Sequence, residues 1–158
     1  MERKMIKQKR KLSDEETLEL LNNGQYGVLA TVDKDNQPYG VPISYVLFKG
    51  SIYCHCALAG YKLENIKNNE KVSFTVVGKT EPVFEGVDFS TYYESAIVIG
   101  KAKIVEDKEE KIESLRALCE KYLPEYMEHF QDALDAELVG TCVFKISMDS
   151  CTGKAKRK

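Results

Sequence analysis

Apolar and polar positions alternate along much of this chain with the two-residue period of half-buried strands, interrupted by a few stretches of helical period. The first helical stretch is SDEETLELLNNG, with Ser13 as N-cap, Glu16 three residues on, acidic residues in the first turn and Gly24 as the stop. Leu18 and Leu21 are expected to face the core. YGVLATV then reads as a strand, DKDNQP turns the chain, and YGVPISYVLF returns as its hairpin partner. Pro42 removes a ladder donor from that partner, which places it at an edge, at a bulge or beside a ligand.

Lys49 and Gly50 close a second hairpin into the strand SIYCHCA, which runs through a glycine-bearing turn into a short helix with Leu63 and Ile66 inward. KVSFTVVG is the next strand and GKTEPVFEGVDFS reads as a loop. TYYESAIVIGKAKIV is the longest strand, with Tyr93, Ser95, Ile97 and Ile99 on one face and Glu94, Ala96 and Val98 on the other. The segment 107–134 is helical, striped by Ile112, Leu115, Leu118, Cys119 and Tyr122 and broken at Pro124. LVGTCVFKISM closes the set. Six or seven strands joined mostly by short turns, with three helices at connections, predict a mainly β, α+β fold of antiparallel pairing, and closure into a barrel would remove its edges.

At 158 residues the chain is expected to form one domain, with a basic arm at 1–12 and a basic tail at 153–158. No apolar run approaches the roughly 20 residues of a membrane span, and the basic start has no apolar segment behind it, so the expected location is cytoplasmic. The five cysteines are an odd set without scaffold spacing, and reduced thiols are expected. The basic ends lack interleaved aromatics or a reading helix, which argues against nucleic acid as a partner.

The candidate chemistry gathers between Tyr53 and Asn69. A strand, a glycine turn and a helix whose first amides have no internal partner make an anion site, and Lys62 stands where the anion needs a cation. Cys54, His55 and Cys56 look like metal ligands, but alternation sends His55 to one face and both thiols to the other, so no metal is expected. No phosphate loop, dinucleotide fingerprint or nucleophile elbow is present. From the residues alone this is an anion-binding barrel with the anion unnamed.

The order YGVLATVDKDNQPYGVPISYVLFKGSIYCHCALAGYKLENIKNNEKVSFTVV, then YYESAIVIGKAKIV, then TGKA resembles the FMN-binding split β-barrel family related to pyridoxamine 5'-phosphate oxidase. Within it, the chain is similar to the branch named for 5-nitroimidazole resistance. The patterns that carry this are Y-x-H-x-A-x-x-G-x-K at Tyr53–Lys62 and Y-x-S-x-I-x-x-G-x-A at Tyr93–Ala102.

The resemblance implies a homodimer with FMN at the subunit interface. Pro42, Ile43, Ser44 and Tyr45 would line the flavin ring through backbone groups, while His55, Cys56 and Ala57 would flank the ribityl chain and phosphate. Lys62 would pair with the phosphate, Ser95 would reach in from the second subunit, and His55 carries the catalytic assignment. Many relatives have Arg where this chain has Glu94, and the C-terminal end, where the family's vitamin B6 oxidases hold substrate with an Arg and His motif, reads SMDSCTGKAKRK with no His, in a chain without Trp, so oxidation of that vitamin is disfavoured.

The implied activity is an FMN-dependent oxidoreductase that reduces electron-poor small molecules such as nitro-aromatics, fed by NAD(P)H or by a separate reductase. The rival readings are a flavin carrier or sensor without turnover, and a haem-binding barrel with His55 as axial ligand.

Overall fold

The computed structural model describes residues 3–158; the first two residues of the expected basic arm lie outside it. Four α-helices and eight strands follow in the order α1 (Asp14–Asn23), β1 (Gly27–Val32), β2 (Pro38–Ile43), β3 (Val46–Phe48), β4 (Ser51–Ala57), α2 (Tyr61–Asn68), β5 (Lys71–Glu85), β6 (Asp88–Ile104), α3 (Lys108–Tyr122), α4 (Phe130–Glu137), β7 (Thr141–Ser147) and β8 (Ser150–Lys156). Every strand pairing is antiparallel, in the order β2-β1-β5-β6-β7-β4-β3, with β8 also on β6. The α+β fold is therefore the expected split barrel.

The local signals explain the elements. Ser13 and Glu16 form the reciprocal capping box at the start of α1. Lys49 and Gly50 both have positive φ, 48° and 75°, the geometry of a tight hairpin turn between β3 and β4. Pro42 sits on the sheet's edge strand, where its missing N–H costs no ladder bond. Pro124 ends α3, and a 3-10 stretch, Pro124–His129, carries the chain into α4.

β6 joins two sheets. Its Tyr93–Ile99 half pairs with β8, and Ala102–Ile104 pairs with β7, so β7 and β8 run as one strand interrupted at Met148 and Asp149. Alternation then fills the interior with Leu29, Phe74, Val76, Ala96, Val98, Phe144 and Ile146, all fully buried. α3 covers the other face of the β3-β4-β7 sheet through Leu118, against Val46, Tyr53 and Val143.

Four expectations change. Residues 78–90 are not a loop: β5 and β6 continue as a two-stranded ribbon to the turn at Gly86, past a register shift between Val77 and Thr80. Residues 153–156 belong to β8 and not to a tail, with Gly153 and Ala155 buried and Arg157 paired to Glu16 and Glu94. The polar look of that end reflects a strand with one face outward. Leu18 is exposed, and Thr17 with Leu21 takes the inward side of α1. The break expected at Pro124 does separate two helices, so four stand where three were counted.

A Cβ at Gly100 would lie 1.7 Å from the Ser147 carbonyl oxygen. That carbonyl is main chain and cannot swing aside. Gly100→Ala is expected to destabilise the fold by about 2 kcal/mol or more, read from the urea midpoint, with an unchanged midpoint refuting the close approach.

Candidate functional site: the corner between β4 and α2

The β4–β7 ladder runs from Ser51 to Ala57 and stops there. Leu58, Ala59 and Gly60 follow in the open, and Gly60 takes φ 154° with free space where a Cβ would stand. That conformation suits glycine. α2 starts without a side-chain cap, so its opening amides face outward unsatisfied.

Lys62 lies in the first turn of α2, half-buried, and makes no ion pair among the described residues. Its charge favours the thiolate forms of Cys54 and Cys56, against the burial that raises both thiols. Two bonds pin the corner against the first hairpin. Asn65, buried, donates to Thr31 Oγ1 at 2.9 Å, and the Tyr61 hydroxyl donates to Asp33 at 2.8 Å. The Tyr61 ring also meets Tyr39 of β2 edge-on, centroids 4.7 Å apart. The Gln37 amide and the Tyr61 hydroxyl together hold the Asp33 carboxyl below its usual range.

The edge strand β2 is thereby brought beside the corner. One row of its backbone groups has no neighbour in the sheet, and Pro42 and Ser44 are exposed there. Ile43 turns its side chain into the core. Tyr45 is different from expectation. It is fully buried, its ring edge-on to Phe74, its hydroxyl bonded to the Leu21 carbonyl. Its backbone is used as well: the N–H donates to Tyr122 Oη and the carbonyl accepts from Lys121 Nζ, each at 3.0 Å. Tyr45 therefore has nothing left to offer a ligand.

His55 leaves the opposite face of β4 from Cys56, as alternation requires. It stands exposed at a half-open depression of about 130 Å³ lined by Leu118, Cys119, Phe130, Leu134 and Glu137. Desolvation lowers its pKa from the ordinary histidine value, and Glu137 works the other way. Ser95 sits on the outward face of β6, opposite Val77 and Lys154. Three strand spacings, roughly 14 Å, separate it from β2, so one ring cannot touch Ser95 and Pro42 of the same chain at close range. The corner thus unites Cys56, Ala57 and Lys62 with the β2 edge, while His55, Ser95 and Tyr45 lie apart. Two larger depressions, of about 490 Å³ beside Glu16 and Arg157 and about 560 Å³ beside Lys67 and Glu70, contain none of the predicted residues. Among the described residues no group of three or more potential ligands is placed to hold a metal, and no helix is long and apolar enough to cross a membrane.

Sequence reasoning missed Lys121 and Tyr122. The Tyr122 hydroxyl also donates to the Gln25 carbonyl at 2.7 Å, and Lys121 Nζ stands 3.7 Å from the Tyr45 ring centroid. Together they staple the β2–β3 corner to the end of α3. At helical spacing they read only as a basic last turn and a core stripe.

This geometry, an antiparallel barrel split into two sheets with a cation-bearing strand–helix corner beside a free sheet edge, defines a split-barrel protein. The chain belongs to the pyridoxamine 5'-phosphate oxidase family, whose model matches residues 13–155. No curated protein matches it in sequence. Among solved structures, a Bacteroides thetaiotaomicron protein provisionally described as a 5-nitroimidazole antibiotic resistance protein superposes with TM-score 0.78 at 23% identity, covering 92% of this chain and 86% of that one. An FAD and heme binding protein from Mycobacterium smegmatis gives 0.81 at 19% identity, over 92% and 72% of the two chains. An FAD-binding protein from Mesorhizobium loti gives 0.67 at 22%, over 94% and 98%. At these identities the likeness is one of fold.

Burial lowers the Lys121 pKa to about 8, against 10.5 when unfolded. Between those values the unfolded chain holds a proton that the folded chain has released, so stability rises with pH. Denaturant titrations from pH 7.5 to 10.5 are expected to show the wild type gaining stability relative to Lys121→Met as the pH rises, because the thiols raised by burial titrate in both and cancel in the difference; parallel pH profiles would refute it.

Proposed function

We propose that this chain binds a flavin, FMN by preference, as a homodimer, and that it is an oxidoreductase for electron-poor small molecules of the nitro-aromatic kind. The observation that carries the reading is Lys62, a half-buried ammonium without an ion-pair partner among the described residues, set over uncapped helix amides beside an exposed sheet edge. A phosphate supplies the missing charge, and the edge backbone at Pro42–Ser44 suits the donors and acceptors of a flat heteroaromatic ring. Cys56 and Ala57 line the path between them. Bound flavin supplies the electron transfer; the chain orients it and keeps water from it.

Support for a second copy comes from the outward face of β5 and β6. Phe84, Phe89, Val77, Ile97 and Ile99 lie along one face over roughly 33 Å, 42 to 92% exposed. Apolar strips of that length are interaction surfaces. Ser95 lies on the same face and would meet the flavin of the partner copy, which answers its separation from Pro42 within one chain. Tyr45 is left out of the flavin contacts, and His55 keeps a role only at the far side of β4.

A carrier without turnover would share the whole site and differ only in failing to exchange electrons with a donor, NAD(P)H or a reductase. The haem alternative is weaker. It would rest on His55 alone, which stands exposed beside the depression under α3 and α4, apart from the corner that carries Lys62. The membrane-free, cytoplasmic setting remains part of the proposal.

Titrating the protein with FMN and following quenching of flavin fluorescence tests the corner. Lys62→Ala is expected to weaken binding roughly 10- to 150-fold, equivalent to about 1.5–3 kcal/mol for a charge-assisted bond. Equal affinities would remove Lys62 from the site. Ile97→Arg is expected to sediment as a monomer with unaltered far-UV circular dichroism, whereas a persisting dimer would move the interface elsewhere.

A further inference from the structure

The β4–β7 register sets Cys56 directly opposite Cys142. The Val143 carbonyl accepts from the Val105 amide of the neighbouring segment, so the odd-numbered residues of β7 turn their backbone groups toward β6 and Cys142 turns its own toward β4. Cys56 and Cys142 are therefore a hydrogen-bonded pair of the ladder, with Cα atoms about 5.5 Å apart. Disulfides most often span roughly 5.5–6 Å. Both side chains leave the same face, the Cys142 thiol donates to the Val143 carbonyl at 3.9 Å, and neither cysteine is oxidised. Cys142 is buried, but Cys56 is half-open at the end of the ladder, next to the exposed Leu58–Gly60 turn.

We propose that Cys56 and Cys142 are a reversible oxidation site, where a low-molecular-weight disulfide closes a covalent bond across β4 and β7 beside the α2 corner. The Cys56 thiol gives its proton to solvent and attacks one sulfur of the reagent, RSSR. One RS⁻ leaves and takes up a proton, and a mixed disulfide remains on Cys56. Cys142 then loses its proton and attacks the Cys56 sulfur, expelling the second RS⁻, which is protonated in turn. Two protein thiols and one RSSR become one protein disulfide and two RSH, with two electrons passing to the reagent. Burial raises the Cys56 thiol to about 11, which makes the exchange slow at neutral pH, and the Lys62 charge opposes that shift. Excess low-molecular-weight thiol reverses the bond by the same exchange steps. Cys54 lies on the same strand face, fully buried, opposite Phe144 rather than a thiol.

The test uses the full chain, oxidised glutathione, alkylation of residual thiols and tryptic mapping, and it does not depend on flavin. The expected product links the peptides 50–62 and 122–145 with loss of two hydrogens, is reversed by dithiothreitol, and is absent from Cys142→Ser. It persists in Cys54→Ala. The wild-type map decides even where a variant folds poorly: a Cys54–Cys56 loop within the first peptide, or glutathione adducts without a cross-link, overturns the assignment.

Discussion

Between Ile99 and Ala102, β6 exchanges one neighbouring strand for another, and the main-chain contact at Gly100 is what allows it. Ser147 comes so near that only hydrogen fits on that Cα, and the Lys101 amide donates to Ser147 Oγ at 2.9 Å where the ladder is interrupted. From this crossing follow the two sheets, the shared interior and the position of every other strand. β7 lies on β4 along its whole length, Thr141–Ser147, and its residues Phe144, Lys145 and Ile146 also pair with β6 on the other side. The ladder that carries β4 to its corner is thus anchored by the same interruption that releases β8.

The corner inherits its geometry from that anchoring. β4 is straight and fully paired to Ala57, so the turn begins at a defined point, and the Asn65–Thr31 and Tyr61–Asp33 bonds fix the helix that follows against the first hairpin. On the far side, Lys121 and Tyr122 tie the place where β2 becomes β3. Those contacts cross more than 70 residues of sequence. The flexible part of the corner is therefore confined to Leu58–Gly60, where the backbone is exposed and Gly60 has no side chain to constrain it.

What could be read from sequence was what local chemistry decides. Ser13 with Glu16, the Lys49-Gly50 turn, Pro42 at an edge and Pro124 at a helix end each act through neighbours within a few residues, and each appears where expected. The Gly60–Lys62 corner was legible for the same reason. The ribbon at 78–90 was not, because Gly78, Pro82 and Gly86 are loop punctuation in any local reading, and only the antiparallel register to β6 makes Gly78 and Pro82 strand and leaves Gly86 to the turn. The last residues looked like a tail because their inward positions, Gly153 and Ala155, are too small to show hydrophobic period; they are small because α1 and Leu12 press on them. Tyr45 failed as a ligand contact for a similar reason: its partners arrive from the end of α3.

Alternation on β4 separates two environments that the Cys-His-Cys spelling seems to merge. Cys54 and Cys56 look into the barrel side, where Lys62 bears on both; His55 looks out to Glu137 and the underside of α3 and α4. A group bound over Lys62 and a group bound against the His55 ring would be on opposite sides of one strand, with the Ser51–Ala57 backbone between them. Any coupling between them has to pass through movement of that strand. β4 has one free end, at Ala57, and there the nearest cross-strand partners are Thr141 and Cys142. Cys56 and Cys142 stand at that end, so a change in their spacing would bear on the one part of β4 that the Lys62 side and the His55 side share.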